Sequence, residues 1–192
     1  EESVVKGQPL FEDKKNPGVI FTAPVSGFIS SINRGDRRAF LSLIIEKKEN
    51  DSDQIEFSTS QNLSDLDNET IVDTLINSGT WTAFRTRPFS KIPNIQDRPD
   101  EIFVSLIDSN PLSVDPEMII KSEEDFFNEG LKVLLRLTNN SLNVSTKPSS
   151  NIKKLDLENL FYYEFDGPHP VGLVGTQIHN ISPATLSKKI WT

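Results

Sequence analysis

The stretch Ile102-Phe103-Val104-Ser105-Leu106-Ile107 decides the fold class, because it is an almost continuous apolar run of strand length. Runs of this kind are typical of strands buried on both faces of a parallel sheet. A turn at residues 108–111 follows it, and apolar residues at helical spacing then extend from Phe126 to about Thr138. Two further strands are predicted at residues 142–146 and 160–165. This alternation predicts a Rossmann-like α/β domain over residues 100–192.

Upstream of this domain, residues 4–47 show only β patterns. Short apolar runs are separated by Gly- and Pro-containing turns, which is typical of a small barrel or sandwich. Strands are predicted at residues 19–23, 28–32 and 40–45. We therefore assign residues 1–48 to part of a small β module.

Residues 49–99 connect the two parts and have a composition of their own. Residues 49–73 contain eight acidic and no basic side chains, and a helix that ends before Gly79 is predicted at residues 70–78. An aromatic–basic arm, residues 81–93, follows. Its prolines at 88 and 93 disfavour a regular element and predict a long loop or an exposed arm.

The composition excludes several classes of function. The chain has 192 residues, no cysteine and a formal net charge of -8. Disulfides, thiolate nucleophiles and cysteine-ligated zinc or iron–sulfur centres are therefore excluded. An acidic chain also disfavours nucleic acid and anionic lipid as main partners. No apolar run approaches the roughly 18 residues that span a bilayer, so no membrane-spanning segment is predicted.

The aromatic–basic arm is one of two candidate binding elements. Aromatic rings could line an apolar slot, while the bases donate hydrogen bonds to carbonyl oxygens or anions, and a quinone headgroup requires this combination. Our hypothesis for quinone contact names Trp81, Phe84, Arg85, Arg87, Phe89 and Lys91. The alternative is an arm that docks on an acidic neighbour.

The second candidate is the glycine-rich stretch from Asp166 to His179. A possible ligand loop there comprises Gly167, His169, Gly172 and Gly175. Glycine-rich turns after strands let backbone N–H groups approach a phosphate, although the spacing is not that of the dinucleotide-binding pattern. The alternative is a structural turn with two surface histidines. We predict no metal site, since His169 and His179 lack a third ligand, and no catalytic residue.

Longer motifs make the family recognisable. Residues 6–27 contain Gly7-Gln8-Pro9-Leu10 followed by Ala23-Pro24-Val25-Ser26-Gly27 and resemble half of a biotinyl/lipoyl-like barrel–sandwich module. The carrier lysine hairpin of such modules is replaced by Lys14-Lys15-Asn16-Pro17. Together with the arm, with Asp108–Leu112 and with residues 167–179, the chain resembles the A-subunit family of bacterial sodium-translocating NADH:quinone oxidoreductases.

The resemblance implies a peripheral protein that lies at the cytoplasmic face of the bacterial inner membrane. The complex would oxidise NADH, reduce ubiquinone and export sodium, with NADH and flavins bound by partner subunits. This chain would contribute to quinone and inhibitor binding and dock on the membrane-embedded B subunit. The alternative is a purely structural docking module. Because the chain starts without Met and ends on a predicted strand, Lys188–Thr192, we expect a fragment whose Rossmann-like domain is truncated.

The α/β domain of this family is related to the flavin domain of the flavoprotein subunit of respiratory NADH dehydrogenases. In that relative a glycine-rich loop holds FMN. The corresponding stretch here, from Gly79 to Lys91, has one glycine, and Trp81, Phe84 and Arg85 would fill the space of a phosphate. We therefore expect no flavin in this chain. Residual flavin or nucleotide binding at Gly167–Gly175 is the remaining alternative.

Overall fold

The computed structural model describes residues 2–49, 53–57 and 63–192. It divides into two compact units, the first formed by Glu1–Thr59 with Val72–Ala83, and the second by Ser60–Ile71 with Phe84–Thr192. Within the described ranges, no helix is both long enough and apolar enough to cross a membrane.

The first unit is built from short antiparallel strands, as its turn-rich sequence predicts. The strands are β1 (Glu2–Val4), β2 (Pro9–Glu12), β3 (Ile20–Thr22), β4 (Gly27–Arg34) and β5 (Phe40–Lys47). Strands β1, β4 and β5 form one antiparallel sheet, and β2 and β3 form a separate pair. Gly27 starts β4 where a Cβ atom would lie 2.0 Å from the Glu46 carbonyl oxygen, so only glycine fits there.

Helix α1 (Asn68–Asn77) contributes residues to both units. Asp67 caps its start, since the Thr70 N–H donates to Asp67 Oδ1 at 2.6 Å. Gly79 follows its end with a φ of +77°, the left-handed conformation that a helix-terminating glycine adopts. The predicted helix is confirmed, and it begins two residues before its predicted start at Thr70.

The second unit contains a mixed sheet with helices. Its elements are β6 (Thr86–Arg87), β7 (Glu101–Ser105), α2 (Pro116–Ile120), α3 (Glu124–Leu137), β8 (Ser141–Thr146), β9 (Leu160–Glu164), α4 (Val174–Ile181) and β10 (Ile190–Trp191). The sheet order is β6-β10-β7-β8-β9. Strands β10, β7, β8 and β9 are parallel, and β6 pairs antiparallel with β10. The predicted α/β class, its three main strands and the strand at the chain end are confirmed.

One core cluster of this unit forms where α4 packs on the sheet. Phe103, Ile178 and Ile190 are buried together, with Val174 and Ile181 against them. The helical residues lie on one face of α4, three or four positions apart. Sequence reasoning left this helix undefined, because the glycines and prolines before it hide its start.

The expectation that prolines exclude regular structure from the arm is wrong in two places. The arm begins in a short 3-10 helix, Thr80–Ala83. Thr86 and Arg87 form the edge strand β6. Pro88 follows that strand, so its missing N–H group removes no hydrogen bond between β6 and β10.

Candidate functional site

Two loops meet at the carboxyl edge of the parallel strands. One, residues 106–115, follows β7, and the other, residues 165–173, follows β9. The Gly172 N–H donates to Ser109 Oγ at 3.0 Å, and the same hydroxyl lies 3.0 Å from Nδ1 of His169. Ser109 thus fixes the glycine-rich loop on the loop after β7.

The backbones of the two loops are in direct contact at Gly172. A Cβ atom there would lie 2.3 Å from the Ser109 backbone nitrogen and 2.8 Å from its Oγ atom. Distances this short exclude any side chain. The Gly172 Cα therefore faces Ser109, which is the geometry of a packing contact.

The other members of the possible ligand loop lie at the surface. Gly167 has a φ of +135°, and a Cβ atom at either Gly167 or Gly175 would meet no described residue within 4 Å. Gly175 belongs to the first turn of α4, and His169 is exposed. A ligand at this loop stays a prediction.

Gln177 anchors α4 beneath these loops, and sequence reasoning missed it. Its side chain is fully buried, and Nε2 donates to Ser105 Oγ at 2.9 Å and to the Val171 carbonyl at 3.3 Å. Its Oε1 atom and the Ser145 hydroxyl are buried without a hydrogen-bond partner among the described residues. A polar residue on an apolar helix face is the signal that could have revealed it.

The structure distributes the six arm residues between the interior and the surface. Trp81 is fully buried in the first unit. Phe84 is 9% exposed and packs on Trp191 in the second unit, with ring centroids 5.4 Å apart. Phe89, in contrast, is 66% exposed. Of the three predicted slot rings, Phe89 alone presents a free face.

Phe89 lies on a turn, residues 86–91, that is closed by hydrogen bonds. The Thr86 N–H donates to the Lys91 carbonyl, and the Ser90 N–H donates to the Thr86 carbonyl, both at 2.7 Å. Edge strand β6 holds the turn on β10. Phe89 is therefore presented on a fixed backbone.

The bases of the arm are also held near the sheet. Backbone N–H groups of Arg85 and Thr192 donate to each other's carbonyl oxygens at 2.9 Å. Arg87 Nη2 donates to Thr192 Oγ1 at 3.4 Å, and its Nε atom is buried without a hydrogen-bond partner in the described part of the chain. Lys91 is exposed at the end of the turn. Arg87, Phe89 and Lys91 thus combine an aromatic face with donors.

A groove of about 710 Å³ in the first unit was not anticipated from the sequence. The rings of Phe21 and Phe40 each lie within 5 Å of Phe11, measured between centroids. Arg34 and Arg38 also line the groove. Its apolar side chains come from four strands, β2 to β5, so no local sequence pattern predicts the groove.

No cluster of three or more His, Asp or Glu side chains that could hold a metal occurs among residues 2–49, 53–57 and 63–192. His169 contacts Ser109, and His179 lies on the exposed face of α4.

Asp115 joins the loop after β7 to helix α2. Its Oδ1 atom accepts from the Glu117 N–H at 3.1 Å, and Lys147 Nζ lies 2.8 Å from Oδ2. The hydrogen bond from Lys147, followed by that from Glu117, lowers the pKa of the Asp115 carboxyl below its ordinary value of 3.8. Asp115 therefore acts as both helix cap and ion-pair partner.

Asp115→Asn should cost about 0.5 kcal/mol of unfolding free energy at neutral pH, because the amide keeps the cap but loses an exposed ion pair. A carboxyl whose pKa is lower in the folded than in the unfolded state stabilises the fold at pH values above its unfolded-state pKa. That contribution is lost as the pH falls through the folded-state pKa. The difference from wild type should therefore begin to shrink as the pH falls to about 3.8, the ordinary value, and disappear only below the lowered folded-state pKa. Urea unfolding at pH 7 and at pH 3 and below measures this difference in unfolding free energy. Lys147→Gln should show the same loss at pH 7, and a difference that is independent of pH would contradict the role of the charge.

Comparison with known proteins covers both parts of the chain. Residues 66–192 match the family model of the NqrA second alpha/beta domain, and residues 1–48 match that of the NqrA N-terminal barrel-sandwich hybrid domain. The predicted barrel–sandwich module is thereby confirmed.

Curated relatives match over essentially the whole chain. The A subunit of the Na(+)-translocating NADH-quinone reductase of Yersinia pseudotuberculosis serotype O:1b (strain IP 31758) is 47% identical over 190 residues, which are 99% of this chain and 42% of the relative. The protein of the same name from Neisseria gonorrhoeae (strain NCCP11945) is 47% identical over 191 residues, which are 100% of this chain and 43% of the relative. The chain thus spans less than half the length of these relatives. The resemblance seen in the sequence motifs is confirmed, and the chain belongs to the NqrA family.

Proposed function

We propose that the chain works as part of the A subunit of a sodium-translocating NADH-quinone reductase. That complex oxidises NADH, reduces ubiquinone and exports sodium, and this part of it lies peripherally at the cytoplasmic face of the bacterial inner membrane. NADH and flavins are bound by partner subunits, and this chain supplies no catalytic residue. The 47% identity to relatives of that name along the whole chain supports the proposal.

Within that complex, the 86–91 turn contributes to quinone and inhibitor binding. The observation that carries this assignment is the 66% exposure of Phe89 on a turn closed by two backbone hydrogen bonds. Phe89 offers a ring for stacking, and Arg87 and Lys91 offer donors for a quinone carbonyl. Trp81 and Phe84 act through packing, since both are buried.

The α/β domain is of the Rossmann-like, doubly wound type, related to a flavin domain but holding no flavin itself. The strand order supports this assignment, since β8 and β9 lie on one side of β7 and β10 lies on the other. Such a reversal creates a crevice at the carboxyl ends of the strands, where ligands of doubly wound folds bind. Here the order reverses between β7 and β10, and the Ser109–Gly172 contact joins the loops that follow β7 and β9.

Phe89→Ala in the full-length protein, incorporated into the purified complex, tests the quinone assignment. Loss of a stacking ring should raise the KM for a short-chain ubiquinone about tenfold, which corresponds to about 1.4 kcal/mol. Sensitivity to quinone-site inhibitors should fall, while the NADH KM and the subunit composition stay unchanged. Phe161→Ala, at another exposed ring of the second unit, is the matched control. Wild-type quinone kinetics in Phe89→Ala would overturn the assignment.

The alternative is that the same turn docks on the membrane-embedded B subunit and never contacts quinone. An exposed phenylalanine on a rigid edge turn would also suit a protein interface. Loss of the Phe89→Ala protein from the complex would favour this alternative.

A further inference from the structure

Four large apolar side chains are uncovered on the segment that follows β7. Leu112 is 104% exposed, Val114 62%, Met118 73% and Ile119 65%. They lie within eight consecutive residues that include most of α2, and we call this surface the 112–119 patch. Scattered exposed apolar residues are ordinary, but a concentrated group marks an interaction surface.

The patch is held in place from several directions. The Asp108 carboxylate accepts from the backbone and side-chain nitrogens of Asn110, at 2.9 and 2.7 Å. The Ser113 hydroxyl donates to the Asp108 carbonyl, and Ser109 fixes the turn on Gly172. Asp115 ties α2 to Lys147. A preorganised surface loses little conformational entropy on binding.

Leu112 adds an observation of its own. Its φ is +63°, in the left-handed region that a branched side chain rarely occupies. The residue is therefore held in an unfavourable backbone conformation that exposes its whole side chain. Such a conformation persists only where the surrounding hydrogen bonds impose it, and it is typical of functional segments.

The surroundings of the patch are acidic. From residue 108 to residue 125 the chain carries six acidic side chains and one basic side chain, Lys121. Glu123 and Asp125 are exposed, shortly after the patch in sequence. The patch segment itself contains Asp115 and Glu117, so basic side chains on a partner that covers it would be favoured.

We propose that the 112–119 patch is a docking surface for an amphipathic segment of another subunit that carries basic side chains beside apolar ones. This inference rests on the proposed function, since it requires a complex with other subunits. A second copy of the chain would place like charges together, and an anionic membrane would repel the acidic surroundings. The glycine-rich loop then serves as the scaffold of this surface through Gly172.

The test is a photo-crosslinker, p-benzoylphenylalanine, at position 118 of the full-length protein in the assembled complex. We expect a crosslink to another subunit, within a segment of net positive charge, identified by mass spectrometry. The same group at position 186, where Leu186 is 86% exposed, is the control and should not give that product. Crosslinks to lipid, to a second copy of this protein or within the same chain would overturn the proposal, as would no crosslink.

Met118→Asp gives a second readout. The fraction of the variant that stays with the complex during a salt wash should fall at least threefold, whereas Leu186→Asp should leave it unchanged. Retention equal to wild type would contradict docking at the patch. Failure of the docking proposal can be distinguished from failure of the quinone assignment. The quinone assignment is tested by the quinone kinetics of Phe89→Ala in an intact complex.

Discussion

Gly172→Ala is expected to lower the unfolding free energy of the protein by about 3 kcal/mol. The added Cβ atom would lie 2.3 Å from the Ser109 backbone nitrogen and 2.9 Å from the Asp108 carbonyl carbon, and neither backbone atom can rotate away. Overpacking of this kind costs about 1–3 kcal/mol. Separating the loops also breaks the hydrogen bond from Gly172 to Ser109, which contributes about 1 kcal/mol.

Urea unfolding followed by circular dichroism measures this loss. Gly175→Ala is the matched control, because a Cβ atom there, in the first turn of α4, meets no atom of the described part of the chain within 4 Å. Alanine is the better helix former, so the control should be neutral or more stable by up to about 1 kcal/mol. Equal unfolding midpoints for Gly172→Ala and wild type would show that the two loops separate without cost.

The sequence predicted the α/β class because the decisive signals are local. The apolar run at residues 102–107 and the helical spacing up to Thr138 are both local, and β7 and α3 form there and end one or two residues before each pattern does. Burial on both faces makes a parallel strand apolar throughout, and the alternation of such strands with a helix indicates the class. Helix α4 escaped detection because its core residues Val174, Ile178 and Ile181 directly follow a glycine- and proline-rich loop.

The candidate site could not be predicted to the same depth, because burial depends on distant residues. Within the arm, Trp81, Phe84 and Phe89 look alike as a pattern of aromatics beside bases. Phe84 is covered by Trp191, which belongs to β10, whereas Phe89 is 66% exposed. The sequence could suggest the chemistry of the arm but not which ring remains free.

The glycine-rich motif illustrates the same limit. A glycine after a strand suits both a phosphate and a neighbouring backbone, since each needs space near Cα. At Gly172 that space is occupied by Ser109, more than sixty residues earlier in the chain. Whether a phosphate or a backbone lies next to the glycine depends on which loop is its neighbour in the fold. The order of strands in the sheet determines that neighbour.

Trp191→Ala should destabilise the second unit by about 3–5 kcal/mol, the range for truncating a buried large aromatic side chain. Trp191 is 1% exposed, pairs with Thr86 on one side and Ile102 on the other, and packs on Phe84. Its strand, β10, is the neighbour that holds β6, so the 86–91 turn should lose its support. We therefore expect the quinone KM of the assembled complex to rise although Trp191 itself is buried.

Two further variants separate packing from direct contact. Trp191→Phe keeps an aromatic ring and should lose markedly less stability than Trp191→Ala. In a double-mutant cycle with Phe84→Ala, the coupling should be about 0.5–1.5 kcal/mol, as for other aromatic pairs. Additive losses would mean that the 5.4 Å ring contact contributes nothing beyond burial. A wild-type quinone KM in a destabilised Trp191→Ala complex would show that the turn keeps its shape without β10. The proposed dependence of quinone contact on this strand would then be wrong.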